Sequence, residues 1–482
     1  MKVAFHTLGC KVNRYETEAM AKDFKAKGYE VVDEREFADV YVINTCTVTA
    51  VADKKSRQYI RRAKKINPDS VVAVTGCYAQ IKPEEVSAVD GVDIVAGTNE
   101  KSALNEYVAE YMDTGVRQVH IKGYDELDSY DDTGLVVSTE NRTRAYIKIQ
   151  EGCNRFCSYC VIPYARGKVR SRDVDEIIEE ARGLIEAGYK EIVLTGINTA
   201  LYGMEWTGAS EKNDESYDKL YDNDDPYGNN ETDGNNELYG NYKHYGNDEP
   251  YGVEKIIAKL DKLPGNFRIR LSSLEPAVVN AEYVGRLLKY EKLCHHLHLS
   301  AQSGSDRVLR TMNRPYSRKE YLEIVRVLRD FDPCYGISTD IIVGFPGEKE
   351  ADFDDSCTLT EECGFCKTHV FKYSKRPFTK AASMEGHVAP QVKNRRSDEL
   401  HKAAELASAK FFEENRGRIE MVLTEELHAE KSMVTGYTGN YIRVYIKTAA
   451  CDNADADLNR MVKVRLTECF ADGMKGEIVT SE

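Results

Sequence analysis

The chain has 482 residues, 41% of them hydrophobic, which is long enough for two to four domains with real cores. It holds no run of about 18 apolar residues, which excludes a helical membrane span. Its first residues lack the apolar core of a secretion signal. Thirteen cysteines without such a signal predict a reducing, cytoplasmic setting and favour metal or redox chemistry over a disulfide framework. The net charge of −14 is uneven: residues 204–252 carry 13 Asp/Glu against 3 Lys/Arg, so the rest of the chain holds only −4. Two local basic clusters remain. One is Lys54, Lys55, Arg57, Arg61, Arg62, Lys64 and Lys65; the other is Arg166, Lys168, Arg170 and Arg172. Each is either a phosphate-attracting patch or a solvated face.

Residues 2–8 read as a buried strand and 15–27 as a helix closed by Gly28. Residues 40–43 follow as a strand, 50–66 as a helix stopped at Asn67-Pro68, and 71–74 and 93–96 as two further strands. Such alternation predicts an open, mostly parallel sheet with helices on its faces. Cys10, Cys46 and Cys77 each follow a strand, within Leu8-Gly9-Cys10, Asn44-Thr45-Cys46 and Thr75-Gly76-Cys77. Ligands of open α/β sheets sit beyond the carboxyl ends of the strands. Three cysteines far apart in sequence are therefore expected to meet at one edge, where helix N-termini favour an anionic cluster.

The next segment carries Cys153-Asn154-Arg155-Phe156-Cys157-Ser158-Tyr159-Cys160 just after an alternating strand-like run and the break Glu151-Gly152. Three thiolates in one short loop can close on a single metal site. An iron–sulfur cube takes four protein thiolates, so three leave one iron open. A zinc knuckle needs a fourth ligand at close spacing, and none follows Cys160. Strands are predicted over 144–150, 191–194, 267–271, 295–299, 335–343 and 368–373. Helices are predicted over 174–187, 253–263, 281–290, 318–329 and 351–363. At the strand ends lie Thr195-Gly196-Ile197-Asn198, Ser272-Ser273-Leu274-Glu275-Pro276, Gln302-Ser303-Gly304-Ser305 and Gly344-Phe345-Pro346-Gly347-Glu348. These motifs are expected to share one barrel mouth.

Residues 204–252 are rich in Asp, Asn, Gly and Tyr, with Tyr-Gly steps at 227, 239, 245 and 251. They read as a disordered acidic insertion; an RNA-stacking arm is disfavoured because its acidity repels phosphates. Trp206, near its start, is expected to cover the barrel mouth. Cys363-Gly364-Phe365-Cys366 reads as two buried structural thiols rather than a redox pair, and Cys294, Cys334, Cys357, Cys451 and Cys469 read the same way. His295, His296 and His298 read as residues of a strand's pleat rather than ligands, and Arg144 as a partner for a core carboxylate. After a basic helix over 393–415, short alternating strands over 419–423, 433–437, 442–446, 461–466 and 475–479 predict a small β-barrel.

The C-x-x-x-C-x-x-C loop after a strand resembles the radical S-adenosylmethionine (SAM) superfamily. Thr7-Leu8-Gly9-Cys10-Lys11-Val12-Asn13, Asn44-Thr45-Cys46-Thr47-Val48-Thr49 and Thr75-Gly76-Cys77-Tyr78-Ala79-Gln80 resemble the amino-terminal motifs of its methylthiotransferases, in the branch that modifies threonylcarbamoyladenosine. Gly436-Tyr437-Thr438-Gly439-Asn440-Tyr441 resembles the RNA-binding TRAM domain, with Tyr437 and Tyr441 placed to stack on bases; the alternative is a plain hairpin with packed tyrosines. The resemblance implies an α/β architecture. An N-terminal domain (1–125) holds an auxiliary cluster, a partial (β/α)6 barrel (139–375) is interrupted by the insertion, and a TRAM-like domain (416–482) follows.

The resemblance also implies two 4Fe–4S clusters, one on Cys10, Cys46 and Cys77 and one on Cys153, Cys157 and Cys160, the latter chelated by SAM. Tyr159, Gly196, Ser273, Glu275 and Gln302 are implied as SAM contacts, with tRNA as substrate and an external one-electron donor. The implied reaction adds a methylthio group to carbon 2 of N6-threonylcarbamoyladenosine beside the anticodon. That carbon offers no acid or nucleophile a handle, so a radical route is one way in, and the base has to leave its stack to reach the barrel mouth. Two departures from the family pattern stand out: Ser300-Ala301 in place of a Pro-Leu pair, and Phe378 in place of Gly. The rival readings are methylthiolation of isopentenyladenosine tRNA or of a ribosomal-protein aspartate, and a non-catalytic iron–sulfur RNA-binding protein.

Overall fold

The computed structural model describes residues 1–128, 130–131, 134, 143–207, 249–428, 433–447 and 458–479. The predicted acidic insertion therefore falls, over 208–248, outside the described residues, as does Cys451. The N-terminal unit is a six-stranded parallel sheet in the order β2-β1-β3-β4-β5-β6. Its strands are β1 (Lys2–Thr7), β2 (Glu30–Val32), β3 (Val40–Thr45), β4 (Val71–Gly76), β5 (Ile94–Ala96) and β6 (Gln118–His120). β3 and β4 are buried along their whole length, as expected of parallel strands covered on both faces. Tyr41, Ile43, Val72 and Val74 pack with Ile60 and Ala63 of helix α2 (Ala50–Ile66). The intervening Val40, Val42, Val71 and Ala73 pack with Met20 and Phe24 of helix α1 (Lys11–Ala26) on the other face.

Helix α1 begins four residues earlier than its sequence pattern predicts. Gly9 turns the chain at φ +111°, and Cys10 occupies the N-cap with no side-chain capping bond. A thiol is not among the residues that announce a helix start, so the first turn is silent in sequence.

The central unit has six parallel strands: β7 (Arg144–Glu151), β9 (Glu191–Gly196), β10 (Arg268–Leu271), β12 (His296–Leu299), β13 (Gly336–Val343) and β14 (Lys367–Lys372). β10 and β12 are joined by one parallel bridge, Ile269 to Leu293. Two short strands, β8 (Arg170–Ser171) and β11 (Ser273–Leu274), pair at the open ends. This is a partial barrel with one large apolar core beneath its helices. The C-terminal unit closes on itself in the order β15-β16-β17-β19-β18. Its strands are β15 (Ile419–His428), β16 (Met433–Tyr437), β17 (Arg443–Lys447), β18 (Met461–Phe470) and β19 (Gly473–Ile478).

The three units meet through buried polar contacts. From β10, Arg268 donates to the Tyr437 carbonyl (2.9 Å) and Arg270 to the Thr438 carbonyl (3.1 Å). From β7, Arg144 pairs with Glu425 (2.5 Å), the core carboxylate partner the sequence reading called for. This docking corrects the expectation for the tyrosines. Arg144 lies 4.8 Å over the Tyr437 ring, and Arg270 4.8 Å over that of Tyr441. The two rings also stack on each other at 5.2 Å. Their faces are taken by the barrel and by one another, which leaves no free platform for a base.

The second basic cluster is also corrected. Arg166, Arg170 and Arg172 are buried and engaged with Glu16, Glu151 and Glu180. They are neither a phosphate patch nor a solvated face, because buried carboxylates take them: Glu151 and Glu180 from neighbouring elements and Glu16 from the N-terminal unit. Trp206 sits edge-on to Tyr202 at 5.5 Å and is not among the residues lining the central cavity, so it does not cover the mouth. Cys363 and Cys366 are buried free thiols.

Candidate active site

The carboxyl ends of β1, β3 and β4 deliver Cys10, Cys46 and Cys77 to one edge of the sheet. Gly9 permits the approach: a Cβ there would stand 2.8 Å from Cys46 Cβ and 3.1 Å from its Sγ. Cys10 Sγ contacts Asn13 Oδ1 at 3.8 Å. Arg166 ties that asparagine to the third thiol, donating to Asn13 Oδ1 (2.6 Å) and to Cys77 Sγ (3.3 Å). Burial pushes the Cys46 thiol up to about 12, with the neighbouring Cys77 and Cys10 adding to it. Each of the three therefore lies within electrostatic reach of the others. A metal cluster reverses that shift, since coordinated thiols are deprotonated.

The second triplet leaves β7 through Gly152, whose φ is +73° and whose added Cβ would meet the Lys168 carbonyl oxygen at 1.7 Å. No other residue fits there. Gln150 shapes the same loop by donating to the carbonyls of Glu151 and Gly152, both at 2.7 Å, and accepts from the Asn198 amide at 2.9 Å. Burial pushes Cys153 up to about 12 and raises Cys160, each further raised by Cys157. Arg314 donates to Cys157 Sγ at 3.3 Å. Each triplet thus has one buried arginine at 3.3 Å from one of its sulfurs, and that arginine is itself held by a buried carboxylate. Arg166 is held by Glu16 and Glu151, and Arg314 by Glu275 at 3.1 Å.

A single cavity of about 700 Å³ joins the two sets. Cys10 lines one side, and Cys153, Cys157 and Cys160 line another. The wall also includes Tyr159, Gly196, Ser273, Glu275 and Gln302, so every residue implied as a SAM contact opens onto this space. Glu275 is ion-paired with Arg155 (3.3 Å) and Arg314 and accepts from Asn198 (2.6 Å). Desolvation raises its carboxyl, but the two arginines outweigh that and hold it below the usual range. Gln302 takes a left-handed φ of +63° and bridges to β13 through Asp340 and Ile342. Such strain in a non-glycine residue gathers at functional sites. Asn198 Oδ1 is buried with no hydrogen-bond partner. Two thiol triplets, each one ligand short of a cube's four, together with an orphaned acceptor in a roomy cavity, fit two 4Fe–4S clusters and a SAM molecule.

Several lining residues escaped the sequence reading: Lys11, Arg270, Arg314, His296, His298 and His369. The alternation in β12 did place His296 and His298 on one face. Both bond Ser338 Oγ at 2.9 Å, and His298 also bonds Asp340 at 3.0 Å. That face turns inward to the cavity.

Comparison with known proteins agrees with this geometry. The model of the radical SAM superfamily matches residues 147–360, and that of the uncharacterized protein family UPF0004 matches residues 2–97. A threonylcarbamoyladenosine tRNA methylthiotransferase, MtaB, of Bacillus subtilis is 39% identical, covering 99% of this chain and 96% of its own. The protein of the same name from Aquifex aeolicus is 38% identical over 87% and 91%. A tRNA-2-methylthio-N(6)-dimethylallyladenosine synthase of Clostridium novyi is 32% identical over 98% and 95%. Among solved structures, the radical SAM methyltransferase TsrM of Kitasatospora setae shares the fold, with a TM-score of 0.52 at 14% identity over 79% of this chain and 77% of that one. With relatives aligned from end to end, and Cys10 of one triplet facing all three cysteines of the other across one cavity, the chain belongs to the radical SAM methylthiotransferase family.

Proposed function

We propose that this protein adds a methylthio group to carbon 2 of N6-threonylcarbamoyladenosine beside the anticodon of tRNA. The observation that carries the proposal is the shared cavity, which presents Cys10 of one triplet and all three cysteines of the other to the same space. Relatives named for threonylcarbamoyladenosine reach 39% identity, and those named for dimethylallyladenosine reach 32%, which favours the first substrate. A purely electron-carrying protein has no need of a second triplet with a vacant ligand position.

Cys153, Cys157 and Cys160 would hold the cluster that SAM chelates, and Cys10, Cys46 and Cys77 the auxiliary one. When bound, such clusters supply a low-potential electron for cleaving the SAM sulfonium and an open iron for the sulfur to be inserted. The chain does the rest by placement. Gln150 and Gly152 fix the cysteine loop against the end of β9. Arg314 and Arg166 direct positive charge at one sulfur of each set, and hydrogen bonds to sulfur tune a cluster's potential. Tyr159 packs against the apolar cluster that holds Phe345 and Tyr373. Tandem mass spectrometry of tRNA nucleosides from cells lacking the gene should show the 2-methylthio derivative of threonylcarbamoyladenosine replaced by its unmodified parent. Loss of the isopentenyl derivative instead would assign the rival substrate.

Helix α2 is proposed as a rail for tRNA phosphates. Lys54, Lys55, Arg61 and Lys65 are exposed on it and form no ion pair among the described residues, whereas Arg57 and Lys64 are tied to Glu85 and Asp93. Residues 54, 58, 61 and 65 recur on one helix face. The helix starts beside Val48 and Thr49, which line a 220 Å³ side cavity next to Cys160. Reversing Lys54, Arg61 and Lys65 to Glu should weaken tRNA binding at least about tenfold and flatten the log–log salt slope by about three. An unchanged slope would place the RNA elsewhere.

A further inference from the structure

The cavity wall nearest Cys10 holds a cation that the protein leaves unpaired. Lys11, the first residue of α1, lines the cavity and stands within electrostatic reach of Arg270, Arg144, Glu191 and Asp340. Its ammonium makes no hydrogen bond or ion pair among the described residues, and every other charge on this wall is spoken for. Glu191 is shared by Arg268 (2.6 Å) and Arg270 (2.8 Å), Glu425 takes Arg144, and Asp340 takes His298 (3.0 Å) and Ser300 (3.1 Å). Of the charged side chains lining the whole cavity, Lys11, Arg155, Arg270 and Arg314 are basic and only Glu275 and Asp340 acidic, so the space favours an anion. A second incomplete group lines the same cavity. His296 is 3% exposed and uses Nε2 on Ser338, while its Nδ1 has no partner. The imidazole stacks at 4.4 Å on Tyr441, so it is held in place without that bond.

On the far wall, Arg155 and Arg314 are committed to Glu275 beside the cysteine loop, where SAM is placed. Lys11 enters the cavity from the N-terminal unit and His296 from β12. We propose that Lys11, with the imidazole of His296 lining the same cavity, binds the free carboxylate of the threonylcarbamoyl group on the substrate adenosine, and so selects an acidic N6 substituent over an apolar one. This rests on the substrate reading above and adds to it the residue that reads the substituent. A dimethylallyl group offers Lys11 no counter-charge and would leave it desolvated against hydrocarbon, which is penalised far more than a merely missing contact.

The test uses reconstituted full-length enzyme and an anticodon stem-loop RNA carrying threonylcarbamoyladenosine as the free acid or as its methyl ester. Wild-type enzyme should bind and turn over the acid about 10- to 100-fold better than the ester, the range of one hydrogen bond to a charged group. In Lys11→Gln the KM for the acid should rise to that for the ester, with kcat falling less. Lys11→Arg should restore part of the preference. Equal handling of acid and ester by the wild type, with methylthiolation intact, overturns the assignment without need of any variant. So does a Lys11→Gln loss that is the same for both RNAs, which would mark a phosphate contact instead. Wild-type enzyme that ignores both RNAs and modifies an isopentenyladenosine stem-loop overturns the substrate reading itself.

Discussion

Cys153→Ala should abolish reductive cleavage of SAM while leaving a folded, tRNA-binding protein with half its iron. The loop that carries Cys153 is not held up by its thiols alone. Its backbone is fixed by Gln150, by the Cys153 amide bonding the Gly167 carbonyl at 3.0 Å, and by the Ser158 amide bonding the Met312 carbonyl at 3.0 Å. Losing one sulfur therefore removes a ligand rather than the fold. Two thiolates do not retain a cube built for three, so the electron has no route to SAM. Cleavage should fall to the level without enzyme, as read by chromatography of 5′-deoxyadenosine formed with dithionite. The corresponding Cys46→Ala variant should behave oppositely, cleaving SAM but releasing no methylthio product. Cleavage retained in Cys153→Ala would show that the electron enters elsewhere.

Arg166→Met should destabilise the protein by about 3–5 kcal/mol, the usual cost of breaking a buried ion pair from one side. Arg166 has no exposed surface. It donates to Glu151 (2.8 Å), to Asn13 (2.6 Å), to Cys77 and to both oxygens of Glu16. Lys101 (3.1 Å) and Lys148 (3.5 Å) also reach Glu16, so the variant keeps part of the compensation. Methionine replaces the volume but leaves two carboxylates with less charge between them. The sign with pH follows from Glu16. Desolvation raises its carboxyl, yet Arg166, Lys101 and Lys148 together hold it well below its ordinary value of 4.5. Its contribution is therefore full above that value and drains away as the pH falls beneath it. The variant should lose less stability than the wild type as the pH is taken below 4.5 in denaturant titrations. A variant as stable as the wild type at neutral pH would show that this network does not bind the two units together.

The strand-end cysteines were legible in sequence because three apolar runs each stop at a short Gly- or Thr-containing turn and a cysteine, so the sheet topology alone brings them together. The closing of the small barrel was legible from its alternating pattern. What holds the parts to one another was not. Arg166 looks like surface charge until the fold delivers Glu16 from 150 residues away, and Arg172 until the helix after it turns Glu180 back onto it. Tyr437 and Tyr441 read as base platforms because local sequence cannot show that Arg144 and Arg270 will cover them. Lys11 sat inside a quoted motif, but its lack of a partner appears only once every other charge on its wall is paired. Phe378, flagged as standing where relatives carry Gly, adopts φ +64° and is largely exposed. The position still asks for the left-handed conformation, and the bulky residue bears the strain.

Iron quantitation with Mössbauer spectroscopy on anaerobically reconstituted protein tests the central claim most directly. The account predicts about eight irons per chain, all in 4Fe–4S clusters, and about four in either the Cys10/Cys46/Cys77 or the Cys153/Cys157/Cys160 triple-alanine variant. Four irons in the wild type, or eight surviving in either variant, would contradict it.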